Sequence, residues 1–220
     1  MLEDTFQHKG LRKKLIEEIR RKGIKDERVL NALMAVPRHW FLDSVFLQHA
    51  YQDKAFPIEE GQTISQPYTV AFQTELLQLQ PNQSVLEIGT GSAYQACILA
   101  EMGVKVYTIE YNEILFKKAR RMIDILRYDK KVQCFLGDGS QGLPRFAPYD
   151  AILVTAGAPA VPESLLFQLK IGGRLVIPVG DNKTQKMMRI IRKNEKQFTQ
   201  EEFENFSFVP LLGKNGWQIK

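Results

Sequence analysis

The stretch from Ser84 to Gly103 restricts the fold of this chain more than any other. The run Val85–Ile88 is apolar, has the length of a strand and is flanked by polar residues. The glycine-rich turn Gly89–Ser92 follows it, and apolar residues then recur at helical spacing up to Gly103, a typical helix stop. A strand, a Gly-x-Gly turn and a helix form the first half of a nucleotide-binding βαβ unit.

The residues around this turn narrow the choice of ligand. A dinucleotide fingerprint needs a third glycine, and Tyr94 occupies that position. Glu110 ends the next apolar run about 20 residues after the turn, where an acid that binds ribose hydroxyls is expected. Glu87 lies inside an apolar strand, where a carboxylate needs donors or a cation. S-adenosylmethionine offers an ammonium, a sulfonium and a ribose without phosphate, so these residues favour it. NAD, or a turn without a particular ligand, stays open as the alternative.

Composition bounds the class of protein. The chain has 220 residues, a net charge of +5 and 44% hydrophobic residues, so a globular protein with a sizeable core is expected. Cys97 and Cys134 form no CxxC pair and are expected to be free thiols in a reducing compartment. The histidines show no metal-ligand spacing, so no metal is expected. Residues 1–14 carry charges where a signal peptide is apolar, and no run reaches the roughly 20 apolar residues of a membrane helix. We therefore expect a cytoplasmic protein.

The N-terminal region predicts two amphipathic helices. Apolar residues recur at intervals of three and four across residues 8–22, beginning with Leu11. Asp26 is positioned to cap a second helix over Glu27–Ala35. The outer face of the first helix is predicted to be basic, with Arg12, Lys13, Lys14, Arg20, Arg21 and Lys22. Two glutamates interrupt this face, which favours a solvated surface over the alternative, a nucleic-acid-binding surface.

Residues 37–71 are of mixed polarity and show little periodicity. Long irregular segments within compact domains are often binding loops or lids. Helical spacing resumes from Tyr68 to Leu79, and Ser65 or Thr69 could simply cap that helix. The pattern alone leaves the functional and the capping interpretation about equally supported.

Strand and helix patterns alternate after Glu110. Strands are predicted at 132–136, 149–156 and 174–179, and helices at 112–128 and 162–169, the latter ended by Gly172–Gly173. Asp138 follows the strand at 132–136. Because ligands bind at the carboxyl ends of parallel strands, Gly89, Glu110 and Asp138 are expected to meet in one crevice, with Asp138 at the adenine end.

The expected fold class is α/β. From Lys186 onwards, short antiparallel strands are predicted around turns at Asn194–Glu195 and Glu204–Asn205. We expect a Rossmann-like, doubly wound, mostly parallel sheet with helices on both faces, extra N-terminal helices and antiparallel C-terminal strands. A single domain over residues 1–220 is expected, made of an N-terminal helical and substrate-loop segment (1–80), a cofactor-binding core (81–185) and C-terminal strands (186–220).

Several segments together resemble the protein-L-isoaspartate O-methyltransferase family. Glu87–Ser92 looks like the first motif of class I S-adenosylmethionine-dependent methyltransferases. The family resemblance extends from about His8 to Trp217, and its most specific element is Thr-Ile-Ser-Gln-Pro. The segments that carry it are Val36–Arg38, Ala50–Asp53, Gly61–Pro67, Gly137–Gly139, Ala147–Asp150 and Phe208–Leu211.

The resemblance implies transfer of a methyl group from S-adenosylmethionine to the free carboxylate of an L-isoaspartyl residue. Such residues arise spontaneously at aged Asn and Asp, and the methyl ester collapses through a succinimide, which begins repair. The implied partners are isoaspartyl-containing proteins and peptides. We expect a monomer that binds neither nucleic acid nor membrane. A class I methyltransferase acting on a different small-molecule or peptide carboxylate is the alternative.

The resemblance also implies roles for individual residues. Ser65 corresponds to the active-site serine of the family. The implied cofactor-binding residues are Ile64, Gln66, Pro67, Glu87, Gly89, Thr90, Gly91, Ser92, Glu110, Asp138 and Gly139. The implied substrate-binding residues are Ala55, Phe56, Val209, Pro210 and Leu211. Ala93 stands where the family usually has glycine, and an alanine is tolerated there if the residue is already helical.

The implied chemistry needs few catalytic groups. A carboxylate with a pKa of about 4 is ionised at pH 7 and requires no general base. The sulfonium is already an activated methyl donor. We therefore expect Ser65 to donate a hydrogen bond that positions the substrate carboxylate, and not to act as a nucleophile, since no Ser-His-Asp pattern lies near it.

Overall fold

The computed structural model describes residues 3–218, and its N-terminal part contains the two predicted helices. Helix α1 spans Phe6–Arg21 and helix α2 spans Glu27–Ala35. The Asp26 side chain accepts a hydrogen bond from the backbone N–H of Arg28, as an N-cap does. The prediction of both helices and of the Asp26 cap is confirmed.

The outer face of α1 differs from the prediction because Arg12 is buried. Its guanidinium donates to both carboxylate oxygens of Asp4, at 3.0 and 2.8 Å, and to the hydroxyl of Tyr51 at 2.8 Å. Leu11, which the spacing assigned to the core, is 37% exposed. An arginine that is paired and hydrogen-bonded can be buried, so Arg12 replaces Leu11 at the start of the buried stripe, and the rest of the stripe is buried as predicted.

The segment after α2 forms short turns and a small sheet. Two 3₁₀ turns lead into a two-stranded antiparallel sheet, in which Phe56 lies opposite Ile64. Helix α3 follows this sheet. The bounds of these elements are Arg38–Phe41 and Ser44–His49 for the 3₁₀ turns, Phe56–Pro57 for β1, Thr63–Ile64 for β2 and Pro67–Leu77 for α3.

Neither Ser65 nor Thr69 caps α3. The N-cap residue is Gln66, its side chain makes no capping hydrogen bond, and Pro67 occupies the first helical position. Thr69 lies inside the helix. The capping interpretation of Ser65 is therefore wrong, and the serine hydroxyl is not used to begin the helix.

The central sheet follows from β3 onwards. Its strands are β3 (Ser84–Ile88), β4 (Lys105–Glu110), β5 (Val132–Leu136), β6 (Tyr149–Val154), β7 (Leu169–Gly180), β8 (Gln185–Arg192) and β9 (Phe198–Phe206). The helices between them are α4 (Tyr94–Glu101), α5 (Glu113–Ile125) and α6 (Glu163–Leu166). Within residues 3–218 the strand order is β5-β4-β3-β6-β7-β8-β9, and every pairing from β5 to β7 is parallel. The pairings β7–β8 and β8–β9 are antiparallel. The predicted fold class is confirmed.

Apolar clusters cover both faces of the sheet. Strand side chains alternate between them, so Val85 packs with α1 to α5, whereas Leu86 and Ile88 face the cluster that contains Leu165 of α6. Strands as apolar as Ala151–Val154 of β6 are expected where both faces are covered. No helix among residues 3–218 is long and apolar enough to cross a membrane.

Two C-terminal details differ from the prediction. Gly172 and Gly173 do not end a helix but lie inside β7, where the pairing with β6 shifts register. Gly172 has a φ of +82°, which L-residues rarely adopt. The glycine therefore permits the backbone conformation of this irregular part of β7. Glu204–Asn205 lies inside β9 and forms no turn, so β8 and β9 make one hairpin.

Candidate active site

The site lies between the neighbouring strands β3 and β6. The chain places β4 and β5 on one side of β3 and then crosses to place β6 on the other side, so the strand order reverses at this point. Ligands bind at the carboxyl ends of strands at such a point. Gly89 follows β3 and Thr155 follows β6, and the Thr155 hydroxyl donates to the carbonyl of Gly89 at 2.7 Å. Gly89 has a φ of +98°, and a Cβ there would lie 2.6 Å from Thr155 Oγ1. Only glycine fits this close approach.

A cavity of about 260 Å³, hereafter the central cavity, opens at this edge of the sheet. Its walls come from β2 and the residues after it, the turn after β3, the end of β4 and the segment after β9. Many residues that the sequence analysis selected line it, namely Ile64, Ser65, Gly89, Thr90, Gly91, Ser92, Glu110, Gly139, Val209, Pro210 and Leu211. Their roles stay predictions, but their assembly around one cavity is a property of the fold.

Glu110 joins the end of β4 to the glycine turn. Its side chain is 6% exposed. One carboxylate oxygen accepts a hydrogen bond from the N–H of Gly91 at 2.8 Å, and the other accepts from the N–H of Asn112 at 3.0 Å. Each oxygen has a second lone pair. Glu110 therefore orders the turn and can still accept a hydrogen bond from a hydroxyl in the cavity.

The central cavity is negatively charged. Of its lining residues within the described part of the chain, Glu60 and Glu110 are acidic, and no lysine, arginine or histidine is present. A ligand with a positive charge is favoured in such a cavity, and a pyrophosphate is disfavoured. This charge pattern agrees with the absence of the third glycine, which Tyr94 replaces.

Glu87 lies behind the cavity wall and does not line the cavity. Its side chain is fully buried, the Thr108 hydroxyl donates to Oε2 at 2.5 Å, and Oε1 has no hydrogen-bond partner among the described residues. The Thr108 hydroxyl also lies 2.7 Å from that of Thr90. Burial raises the pKa of Glu87 to about 8, although the hydrogen bond from Thr108 opposes the shift. Glu87 is thus connected through Thr108 to Thr90 of the glycine turn.

Asp138 faces the C-terminal segment. Its carboxylate accepts hydrogen bonds from the backbone N–H groups of Lys214 and Ser140, both at 2.9 Å, and from the Gln141 side chain at 2.9 Å. Burial alone would raise the pKa of Asp138, but these donors outweigh it and lower the pKa below its ordinary value. Asp138 is not part of the cavity wall, whereas its neighbour Gly139 is. A role of Asp138 at the adenine end stays a prediction.

Ser65 stands where two cavities meet. It directly follows β2, is half-buried and lines the central cavity beside Ile64. It also lines a second cavity of about 530 Å³, hereafter the side cavity. Ala55 and Gln66 line the side cavity only. The hydroxyl of Ser65 is therefore within reach of ligands in either space.

Phe56 and Pro67 line neither cavity. Phe56 is buried and pairs with Ile64 in the small sheet, and Pro67 is the buried first residue of α3. Phe56 fixes the backbone before Ser65 through its pairing with Ile64, and Pro67 begins the helix that follows Ser65. Direct contact of these two residues with substrate or cofactor stays a prediction.

The structure contradicts the helical conformation assumed for Ala93. This residue is the N-cap of α4 and has a φ of +71° and a ψ of 4°, which is the left-handed conformation. An L-residue there costs roughly 1–2 kcal/mol relative to the right-handed conformation. The alanine is thus tolerated under strain, and the family's preference for glycine has a backbone cause.

A substitution series at Ala93 should reveal this strain. Ala93→Gly relieves it but loses a buried methyl and makes the unfolded chain more flexible, so the free energy of unfolding should change by less than about 1 kcal/mol. Ala93→Val should destabilise by about 2 kcal/mol or more, because β-branched residues disfavour positive φ. Urea unfolding measures both. A stable Val variant would contradict the left-handed conformation.

Some cavity residues were not selected from the sequence. Tyr111 and Thr155 directly follow β4 and β6, and a position just after a parallel strand is a signal that could have found them. Glu60 lies in the loop before β2, has a φ of +58° and accepts a hydrogen bond from the Asn112 side chain at 3.0 Å. No pattern in the sequence indicates this contact.

The fold also brings together two histidines that are distant in sequence. Asp4, His8 and His39 each place one potential ligand atom within 4.8 Å of the others. However, the nitrogens of His39 lie 2.7 Å from the Tyr51 hydroxyl and 3.0 Å from a backbone carbonyl, and Arg12 binds Asp4. These polar groups have protein partners and a neighbouring positive charge, so they anchor the N-terminal segment rather than form a cation site.

A family model and two relatives that are similar to this chain carry the same activity in their names. A family model described as protein-L-isoaspartate(D-aspartate) O-methyltransferase (PCMT) matches residues 10–216. A protein-L-isoaspartate O-methyltransferase from Cytophaga hutchinsonii is 64% identical over 219 residues, which cover 100% of this chain and 98% of the relative. A relative of the same name from Christiangramia forsetii is 55% identical over 211 residues, covering 96% and 98%.

Solved structures give the same result. A protein-L-isoaspartate O-methyltransferase has a TM-score of 0.83 and 31% identity, and the match covers 93% of this chain and 66% of that one. A candidate protein-L-isoaspartate O-methyltransferase from Plasmodium falciparum, solved in complex with S-adenosyl-L-homocysteine, has a TM-score of 0.79 and 26% identity, covering 91% and 98%.

Proposed function

The chain belongs to the protein-L-isoaspartate(D-aspartate) O-methyltransferase family, and from this premise we propose that it methylates the free carboxylate of L-isoaspartyl residues in damaged proteins and peptides. The methyl donor is S-adenosylmethionine, bound in the central cavity. The resulting ester has a better leaving group than the carboxylate, so the adjacent backbone nitrogen can displace methanol and close a succinimide. This step begins the return to aspartate.

One observation carries the proposal: Ser65 lines both cavities. A methyl transfer needs donor and acceptor on either side of one point, in line and close together. The central cavity takes the donor, and the peptide approaches Ser65 from the side cavity, with its backbone reaching Val209–Leu211 at the border of the central cavity. Ser65 lies at the shared wall, where the carboxylate oxygen and the methyl group have to meet.

The residues of the central cavity fit the donor. When bound, S-adenosylmethionine supplies an activated methyl group on a positively charged sulfur. Glu60 and Glu110 are the charged lining residues among those described, so the cavity favours that charge. Glu110 retains lone pairs for the ribose hydroxyls. The space beside Gly91 is open to a ligand. A Cβ at this position would lie 3.8 Å from its nearest neighbour, the side chain of Ile58.

Ser65 acts by orientation. The substrate carboxylate is ionised at neutral pH and needs no base. The Ser65 hydroxyl donates a hydrogen bond to one carboxylate oxygen, which turns the other oxygen towards the methyl carbon. Among residues 3–218 no histidine is positioned to activate Ser65, because His8 stacks on His39, His39 contacts Tyr51 and His49 contacts Gln52.

The substrate backbone is held at Val209–Leu211. The N–H of Gly157 donates to the Val209 carbonyl, and the N–H of Leu211 donates to the Gly157 carbonyl, both at 2.8 Å. These bonds use one edge of the segment and leave the Pro210 carbonyl on the opposite edge for a substrate N–H. Recognition through backbone atoms tolerates many flanking sequences, as a repair enzyme requires.

A labelled-donor assay tests the proposal. The purified protein is incubated with tritiated S-adenosylmethionine and either an isoaspartyl peptide or its aspartyl twin. We expect methylation of the isoaspartyl peptide alone. Binding of the donor with no transfer to the isoaspartyl peptide would instead favour a class I methyltransferase with another acceptor.

Replacing Glu110 by alanine should weaken donor binding. The variant loses the charged acceptor for the ribose and also the partners of Gly91 and Asn112. A hydrogen bond to a charged group contributes about 1.5–3 kcal/mol, so the dissociation constant should rise roughly 10- to 150-fold. Calorimetric titration with the donor measures this. Glu113→Ala, at an exposed residue of α5, is the control; equal affinities of the two variants would contradict the role of Glu110.

We infer in addition that the protein works as a monomer in the cytoplasm. Both cavities are built from residues of a single chain, so donor and acceptor can meet without a second copy. Cys97 and Cys134 are free thiols, which agrees with a reducing compartment. Sedimentation at micromolar concentration tests the first inference.

A further inference from the structure

One buried carboxylate holds the residues that follow Ser65. The Asp53 side chain is 3% exposed. Its Oδ1 accepts a hydrogen bond from the backbone N–H of Tyr68 at 2.7 Å, and its Oδ2 accepts from the side-chain amide of Gln66 at 2.9 Å. Pro67 between them has no N–H to donate. The chain just after Ser65 is thus attached at two points to a single distant side chain.

Asp53 also replaces the missing cap of α3. The N-cap residue Gln66 makes no capping hydrogen bond, and the first N–H groups of a helix require acceptors from outside it. Asp53 supplies the acceptor for Tyr68, the first donor available after Pro67. A negative charge at a helix N-terminus is favourable because of the helix dipole.

Ser65 is consequently fixed on both sides. On one side, Ile64 pairs with Phe56 in the small sheet. On the other side, Gln66 is bound to Asp53. Ser65 is the one residue between these two attachments, so a change at Asp53 that releases Gln66 also releases Ser65 on that side.

Lys22 connects this arrangement to the N-terminal helix. Its ammonium lies 2.5 Å from Asp53 Oδ2 and 2.7 Å from Glu18, and it is the C-cap residue of α1. The ion pair compensates the burial of the Asp53 carboxylate. It therefore ties α1 to the segment that carries Ser65.

We propose that Asp53 is a positioning residue for methyl transfer, which sets the place of the Ser65 hydroxyl by holding Gln66 and the N–H of Tyr68. The proposal rests on the methyl-transfer function proposed above. Asp53 lines neither cavity. Its loss should therefore slow the transfer step and leave the binding of the donor unchanged.

Three variants test the proposal. Asp53→Ala removes both attachments, and kcat on an isoaspartyl peptide should fall about tenfold, with the donor Kd unchanged. Asp53→Asn keeps an oxygen that accepts from Tyr68, so kcat should return to about a third of the wild-type value. Asp26→Ala is the matched control, because Asp26 also caps a helix but lies on α2; it should lower Tm as much as Asp53→Ala does while kcat stays the same.

The measurements separate positioning from a structural role. Equal kcat values for Asp53→Ala and Asp26→Ala, or a donor Kd that weakens as much as kcat falls, would overturn the proposal. If Asp53→Ala does not fold, Asp53→Asn and Lys22→Met decide: the proposal requires kcat losses of about threefold without a change in donor Kd. Wild-type protein that fails to methylate the isoaspartyl peptide contradicts the proposed function instead, so the two failures are distinct.

Discussion

Replacing Ser65 by alanine should reduce kcat on an isoaspartyl peptide by about 100-fold or more, with the affinity for S-adenosylmethionine unchanged. The residue lines both cavities, as does Thr63 two positions earlier, and Ser65 is the one that matches the active-site serine of the family. Without its hydroxyl, the substrate carboxylate can rotate away from the methyl carbon, and a misplacement of about 1 Å costs on the order of 100-fold in rate. Turnover with labelled donor and calorimetric titration measure the two quantities separately.

The turnover of Ser65→Ala shows whether the hydroxyl positions the substrate or the residue only contributes to the shape of the cavity wall. Ser44→Ala, at an exposed residue outside both cavities, is the control and should retain full turnover. Thr at position 65 keeps a hydroxyl and should restore part of kcat. A Ser65→Ala variant with turnover within threefold of wild type would remove Ser65 from the mechanism.

Replacing Glu87 by glutamine should abolish a large pH dependence of stability. The folded-state pKa of Glu87 is about 8, above the ordinary value of 4.5, because the side chain is fully buried. Between these two pH values the unfolded chain loses the proton and the folded chain keeps it. The free energy of unfolding should therefore fall as pH rises, by about 1.4 kcal/mol per unit through most of this window, and become constant above the folded-state pKa.

Urea unfolding without donor, at several pH values between 5 and 8, measures this effect. Glutamine keeps an oxygen that accepts from Thr108 and cannot ionise. The Glu87→Gln variant should therefore be more stable than wild type at pH 8, by roughly 3–5 kcal/mol in the absence of other changes. Glu17→Gln, at an exposed residue of α1, should retain the wild-type slope. Parallel slopes for wild type and Glu87→Gln would show that Glu87 titrates near its ordinary value.

The parallel part of the sheet could be predicted because its central strands are largely apolar runs. The run Val85–Ile88 is buried on both faces. Such a run can be recognised in the sequence without knowing which strands pair with it. The crevice followed from the same reasoning, since the ends of parallel strands meet at one edge. Glu110 was located in this way, by its position at the carboxyl end of β4.

The features that could not be predicted depend on distant partners or on backbone conformation. Arg12 is buried because Asp4 and Tyr51 compensate it, and neither contact is visible as helical spacing. Ala93 adopts a conformation typical of glycine, which its side chain does not reveal. The orientation of Asp138 towards Lys214 depends on the return of the chain after β9. Patterns in sequence report burial well, but they do not report which residue compensates a buried charge.

The wall formed by residues 209–212 has a consequence for biosynthesis. This segment completes the central cavity, is hydrogen-bonded to Gly157 and continues to Lys214, which binds Asp138. It is translated after every other part of that wall. A nascent chain that has emerged from the ribosome only as far as β9 contains Ser65 and the glycine turn but has an open cavity. If the methyl donor binds in the central cavity as proposed, it is enclosed only after this segment has left the exit tunnel and docked.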